Sequence, residues 1–257
     1  GTDGQVLTST GSGVGWEDVA SGVSSINDLS DVKSNITNFA NSILISNDAG
    51  TGTLSTASNN TGLGFEAFDD LTSGDDNTAI GFKALTVLTT GSNNTGIGAR
   101  ALLSNTTGGA NTAIGENALY QNTTANFNTA VGYQSLDANT TGAENTAIGA
   151  DALSANTTAQ RNTAVGHNNM TATTTGSYNS ALGNQVLLVN TVGTENSAVG
   201  YRAMDANTEG SYNVAMGVNA LGGNTTADNN VAVGFGAMIA NTTGTDNVAV
   251  GSAALDA

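Results

Sequence analysis

The sequence predicts an all-β fold, a parallel β-solenoid, over its last three-quarters. Three observations predict it. Asn recurs every 17 residues, at 60, 77, 94 and onward to 247, twelve times in all. Each of these Asn residues is followed four places later by Gly, from Gly64 to Gly251. The residue just before each Gly is always a large aliphatic. A short period repeated this often describes stacked coils, each burying its apolar face on the next, and not a globular domain around a pocket.

Counting each Asn as position 1, the consensus is N-T-A-[IVLM]-G-x-x-A-[LM]-x-x-N-T-T-[GA]-x-x. Position 4 gives the column Ile80, Ile97, Ile114, Val131, Ile148 and Val165. Position 5 gives Gly81, Gly98, Gly115 and Gly132. Position 9 gives Phe68 in the first copy, then Leu85, Leu102, Leu119 and Leu153 among others. Two aliphatic columns per coil imply two short strands, N-T-A-I-G and x-A-L-x-x. Rungs stacked at ~4.8 Å make a rod of ~55 Å from twelve coils. Glycine in every coil and the N-T-T corners oppose a helix.

Along the first strand, positions 2 and 4 share one face and positions 3 and 5 the other. Val214, Val231 and Val248 replace Thr or Ser at position 2. That face is therefore expected to line the coil interior, with the position 4 aliphatics. The opposite face carries only Ala or Gly. It is expected to be an interchain contact, or the tight bend after the strand. The Asn-Thr-Thr-Gly corner combines turn-forming residues, and stacked Asn side chains are expected to form amide ladders. A 17-residue coil encloses little volume, so several chains wound about one axis would supply the missing buried area.

Ahead of the array, Gln5–Thr10 and Val14–Val19 read as the arms of a hairpin around Gly11–Gly13. Leu29, Val32, Ile36, Phe39 and Ile43 follow a heptad-like spacing that suggests a short coiled coil of two heptads. The alternative places Asn41–Ile45 as a degenerate first coil. The expected organisation is a collar or attachment segment over 1–40 and a solenoid array over 41–257.

Composition bounds the function. Lys plus Arg number 5 against 21 acidic residues, a formal charge of −16. That balance opposes nucleic acid and anionic membrane surfaces as partners. No apolar run is long enough to cross a bilayer, so no membrane insertion is expected. Cysteine is absent, which excludes disulfides. No signal peptide is visible. The chain opens on Gly and stops at Ala257 inside a repeat, as a fragment or the ordered part of a longer polypeptide would.

No catalytic constellation emerges, and no enzyme activity is expected. His167 is the single histidine and occupies the variable position 6. With no cysteine and no second histidine, a transition-metal site is not expected. Asp69-Asp70 and Asp75-Asp76 are the candidates for calcium, but the calcium-loop spacing is absent. A solvated acidic corner, and no cofactor, is the expectation. The sequons at Asn105, Asn122, Asn139, Asn156, Asn224 and Asn241 read as turn chemistry, not as glycan acceptors. Aromatics at position 6 (Phe65, Phe82, Tyr133, Tyr201, Phe235) and position 17 (Phe127, Tyr178, Tyr212) are too irregular for a glycan-stacking array. Thr at positions 13 and 14 resembles the hydroxyl arrays of ice-binding solenoids. Adjacent strand residues point to opposite faces, however, so ice binding is a minority reading.

The N-T-A-I-G and N-V-A-V-G strands over 60–257 resemble the N-S-V-A-I-G signature of YadA-like trimeric autotransporter adhesin heads. The resemblance implies a left-handed parallel β-roll assembled as a homotrimer. The longer repeat and the N-T-T-G corner depart from that pattern. The opening, Gly4-Gln5-Val6-Leu7-Thr8 through Gly15-Trp16-Glu17-Asp18-Val19 and then Asp28–Val32, resembles segments of bacteriophage tail-fibre and related virion proteins. The implied function is the shaft or adhesive segment of a trimeric tail fibre on the virion surface. Its partners would be copies of itself, other fibre or baseplate proteins, and a host surface glycan or protein. A bacterial cell-surface adhesin head is the alternative.

Overall fold

A computed structural model of the chain describes residues 55–256 and four strands before them. β1 (Gln5–Ser9) and β2 (Val14–Asp18) pair antiparallel with Leu7 opposite Trp16, which matches the expected hairpin arms. The turn expected at Gly11–Gly13 lies outside the described residues, as does Leu29 of the suggested coiled coil. β3 (Val32–Ile36) and β4 (Phe39–Ile45) form an antiparallel pair, so the heptad-like spacing does not mark a helix there. Val32, Ile36, Phe39, Ile43 and Ile45 are β-branched or aromatic, types that suit a pleated surface. β4 then pairs in parallel with β6 (Thr61–Leu63), Ile43 opposite Thr61 and Ile45 opposite Leu63. The segment Asn41–Ile45 thus runs into the base of the ladder. β5 (Ala57–Ser58) pairs with the beginning of β4.

From β6 onward each coil contributes one three-residue strand, through β7 (Thr78–Ile80) to β17 (Val248–Val250). Each strand pairs in parallel with the next at an offset of one repeat: Thr129 with Thr146, Ala130 with Ala147, Val131 with Ile148. No helix occurs among the described residues. The chain is an all-β parallel solenoid of about twelve 17-residue turns. Below, the strands β6 to β17 are rungs 1 to 12.

The second strand expected at x-A-L-x-x is not a strand. Positions 6 to 11 form a run of turns, with left-handed residues at positions 7 and 9, such as Gln134 (φ 52°) and Leu136 (φ 51°). A left-handed L-residue costs roughly 1–2 kcal/mol. Here that cost is offset inside each coil. The Leu136 side chain is fully buried, and its N–H donates to the Ala152 carbonyl of the next coil at 3.0 Å.

The largest correction concerns which strand face is inside. Position 3 is the buried one: Ala79, Ala113, Ala130, Ala147 and Ala164 have no exposure. They share one continuous core with Leu85, Leu119, Leu136 and Leu153 at position 9. A Cβ built on Gly96, at position 3, falls 3.3 Å from the Leu85 side chain, so the two columns face each other directly. Position 4 points outward. Ile114 is 38% exposed, Leu182 51% and Val250 71%. Ile80, Ile97, Val131 and Val165 are half-buried and Ile148 is exposed, none of them inside the coil. The physical reason is volume. A coil this thin has little room, and position 9 fills the space facing the strand in every coil; Leu71, Leu88 and Val186 add a second buried side chain only away from that face. Only Ala or Gly fits opposite, which sends the β-branched residues to the outer face.

The expected amide ladders are present, and there are two. At position 1, Asn128 Nδ2 donates to Asn111 Oδ1 at 3.3 Å and to the Gly142 carbonyl at 2.9 Å. Asn128 Oδ1 accepts the Asn145 N–H at 2.9 Å. At position 12, Asn122, Asn139 and Asn156 form a second buried ladder from side chain to side chain. Thr89 and Thr106 at position 13 add hydroxyl bonds to the next coil's carbonyl.

The second ladder breaks once. Thr173 replaces Asn in rung 7, and both Thr173 Oγ1 and Asn156 Oδ1 are buried without a hydrogen-bond partner. An unsatisfied buried polar atom costs about 1–3 kcal/mol. Thr173→Asn is therefore expected to raise stability by about 1–3 kcal/mol by rejoining Asn156 to Asn190. Denaturant titration against the parent chain checks this. An unchanged midpoint would refute it.

Candidate interaction surface

The inversion of the strand creates the most distinctive surface of the molecule. Positions 2 and 4 of every rung project outward and stack into two parallel columns. Position 4 runs through Ile80, Ile97, Ile114 and Val131 to Leu182, Met216 and Val250. Position 2 is Thr in rungs 1 to 7, Ser180 and Ser197 in rungs 8 and 9, then Val214, Val231 and Val248. None of these 24 positions is charged in a chain carrying 26 charged residues. The charges sit elsewhere on the coil. Lys83 pairs with Glu66 at 3.0 Å and Arg202 with Asp205 at 2.7 Å, all at positions 7 or 10.

The stripe is ~55 Å long at the usual rung spacing. Two side-chain columns over that length present on the order of 600 Å², and flanking positions raise this toward the ~800 Å² per partner of a standard stable interface. Exposed aromatics flank it in sequence. Phe65 and Phe82 at position 6 stack with ring centroids 5.6 Å apart, and Lys83 Nζ lies 5.5 Å from the Phe82 centroid. At position 17, Glu144, Arg161 and Tyr178 form an axial chain. Arg161 donates to Glu144 at 2.9 Å and to the Tyr178 hydroxyl at 2.6 Å. That guanidinium holds the Glu144 carboxyl below its ordinary range. An exposed pair of this kind contributes little to stability.

The stripe is not uniform. Over rungs 7 to 9 it dips into an open apolar cleft of about 280 Å³ around Ser180, Leu182, Ser197 and Val199.

The glycine column at position 5 serves the coil itself. All twelve have φ between 126° and 139°, and all but Gly251 in the last coil meet the backbone of the next coil's Gly. This is the tight bend after the strand. Gly81, Gly98, Gly115 and Gly132 therefore allow close stacking within one chain.

The other candidate residues fall into structural roles. His167 is exposed, with Nδ1 3.3 Å from Asn184 Nδ2 on the next coil. Asp75 Oδ1 accepts the Ser58 N–H at 2.8 Å and Asp76 Oδ1 accepts from Asn59 at 2.9 Å. Both carboxylates thus join consecutive coils. No group of three or more metal-ligating side chains occurs among the described residues. Burial raises the Asp137 carboxyl above its usual range, and the nearby Asp151 charge adds to this against the Ala138 N–H. The sequon residues Asn105, Asn122, Asn139, Asn156 and Asn224 are fully buried in the second ladder. Sequence reasoning missed the left-handed residues at 7, 9 and 17. Asn117, Asn168 and Asn219 at position 7, and Asn93 and Asn229 at position 17, were the available signal, since Asn tolerates that conformation.

No protein-family model, curated protein or solved structure matches the chain.

Proposed function

We propose that the chain is the shaft or adhesive segment of a trimeric viral tail fibre, in which positions 2 and 4 of three parallel copies pack around a common axis. The observation that carries this reading is the uncharged stripe running the length of the array, aliphatic at position 4 in every rung and Thr, Ser or Val at position 2. Large contiguous apolar patches on soluble proteins mark interaction sites. A stripe matched to the rod's own repeat suits another rod with the same repeat. The opening motif Gly4–Thr8 and Gly15–Val19 supports the virion setting. The work of such a segment is mechanical: stacked rungs hold a binding tip, or a binding surface, away from the particle. A bacterial cell-surface adhesin head would share the assembly. It would differ in binding a host glycan or protein through this segment alone.

A second reading draws on the same face. Rungs 2 to 7 pair Thr at position 2 with Ile or Val at position 4 on one in-register parallel ladder. That T-x-[IV] pattern suits ice binding better than the adjacent Thr residues at positions 13 and 14.

Sedimentation equilibrium separates the readings. The parent chain is expected at three times the monomer mass. Ile114→Asp combined with Ile148→Asp is expected to give folded monomers, because buried unpaired carboxylates cost several kcal/mol each. A parent chain that is monomeric and shows thermal hysteresis would reject the fibre in favour of ice binding.

A further inference from the structure

A perfectly periodic stripe has a problem when copies assemble side by side. Sliding one copy by a whole rung presents almost the same surface to its neighbour. The loss is one rung of contact out of twelve. Weakly specified strand surfaces slip for this reason. Coiled coils solve the same problem by breaking their own pattern at a chosen layer.

This chain breaks its outward pattern at rung 8, and rungs 11 and 12 continue with a different pair, Val231 with Val233 and Val248 with Val250. Rungs 2 to 7 read Thr with Ile or Val without interruption. Rung 8 reads Ser180 and Leu182, rung 9 Ser197 and Val199, rung 10 Val214 and Met216. Leu182 and Met216 are the two longest side chains on position 4 after rung 1, apart from the Ile residues of the regular rungs, and neither is β-branched. Both stand well clear of the coil, about half exposed. Ser180 and Ser197 each lack the methyl group that Thr supplies elsewhere. The result is a knob beside a hollow: the apolar cleft is lined by Thr163, Val165, Ser180, Leu182, Ser197 and Val199. The cleft is centred on rung 8, the rung that carries the Leu182 knob. At equal level, each copy around the common axis therefore presents its knob to the hollow of the next. A one-rung slip sets Leu182 against the Thr163–Val165 rung or against the Ser197–Val199 rung, where the hollow is not centred.

We propose that rungs 8 to 10 fix the axial register of the assembled copies, with Leu182 of one copy seated in the cleft beside Ser180 and Ser197 of the next. The partner is a second copy of this chain, and the inference rests on the side-by-side assembly proposed above. The stripe's area, of the order that each partner contributes to a standard interface, supports that occupant.

The test uses the full chain, which has no native cysteine. Copies carrying Ile114→Cys and copies carrying Val131→Cys are co-expressed and oxidised. With the natural rungs 8 to 10, same-rung disulfides (114 with 114, 131 with 131) are expected to dominate over 114 with 131. In a background of Ser180→Thr, Leu182→Ile, Ser197→Thr and Met216→Val, which gives rungs 8 and 9 the Thr-with-aliphatic pattern of rungs 2 to 7 and rung 10 the Val-with-Val pattern of rungs 11 and 12, the same-rung preference is expected to fall at least about fivefold while the oligomer mass is unchanged. Leu182→Ile alone, read the same way, is expected to show part of that fall and guards against misfolding of the fourfold variant. An unchanged preference in both backgrounds, with the oligomer intact, would overturn the register inference and leave the shaft reading standing. A monomeric parent chain would sink both.

Discussion

Gly132→Ala is expected to destabilise the array by about 3–5 kcal/mol, from backbone strain together with overpacking. Gly132 has φ 138°, which L side chains rarely adopt. An added Cβ would lie 2.5 Å from the Gly149 carbonyl oxygen and 2.6 Å from its carbon. Those atoms are backbone, so no side chain can turn aside. The Gly132 N–H also donates to the Ile114 carbonyl at 2.8 Å, which ties the strained residue to the rung before it. The damage should stay local, since each coil touches only its neighbours. Thermal unfolding should split into two transitions, one for the coils on each side of the substitution. A single transition within a degree or two of the parent's would show that rung spacing adapts more readily than the geometry implies.

Asn128→Leu keeps the side chain's branched shape and removes the amide, and it is expected to cost about 3–5 kcal/mol by summing the lost bonds. The Asn145 N–H loses its acceptor, Asn128 Oδ1, in a buried setting. Asn111 Oδ1 and the Gly142 carbonyl each lose one of two donors, and Asn145 Nδ2 loses one of two acceptors. An apolar replacement on one rung therefore leaves polar groups stranded on two neighbours. Replacing Asn111, Asn128 and Asn145 together should cost less than three times the single change, because interior rungs then lose ladder partners in matched sets. Equilibrium denaturation of the single and triple variants measures both numbers. Strict additivity would show that the amides act independently.

Much of this architecture was legible before any coordinates. The repeat gave the in-register parallel stacking, since identical residues at one spacing can only align with themselves. The buried Leu column at position 9 and the Asn ladder at position 1 followed from the same regularity. The orientation of the strand did not. Alternation separates Ala130 from Val131 onto two faces but does not say which face is inside. Large aliphatics usually point inward, and here the coil's small cross-section overrides that tendency. The turn run at positions 6 to 11 was hidden for a related reason. Leu136 has strand-compatible chemistry, yet it is held left-handed because only that conformation buries its side chain and aims its N–H at the next coil. The outward stripe was consequently legible as a pattern and misplaced as a location. The antiparallel pair β3 and β4 was obscured by an apolar spacing too short to distinguish a helix from two strands.

The gap at Thr173 has a mechanical consequence for a rod that is pulled along its length. Coils stacked end on end carry the same load in series, so total strength is set by the weakest junction and not by the average. Well-bonded junctions elsewhere do not compensate for one with fewer bonds. Tension would concentrate its effect around the seventh coil, where the Asn156 and Thr173 oxygens already lack partners. A solenoid built this way yields at a defined point and keeps intact blocks on either side.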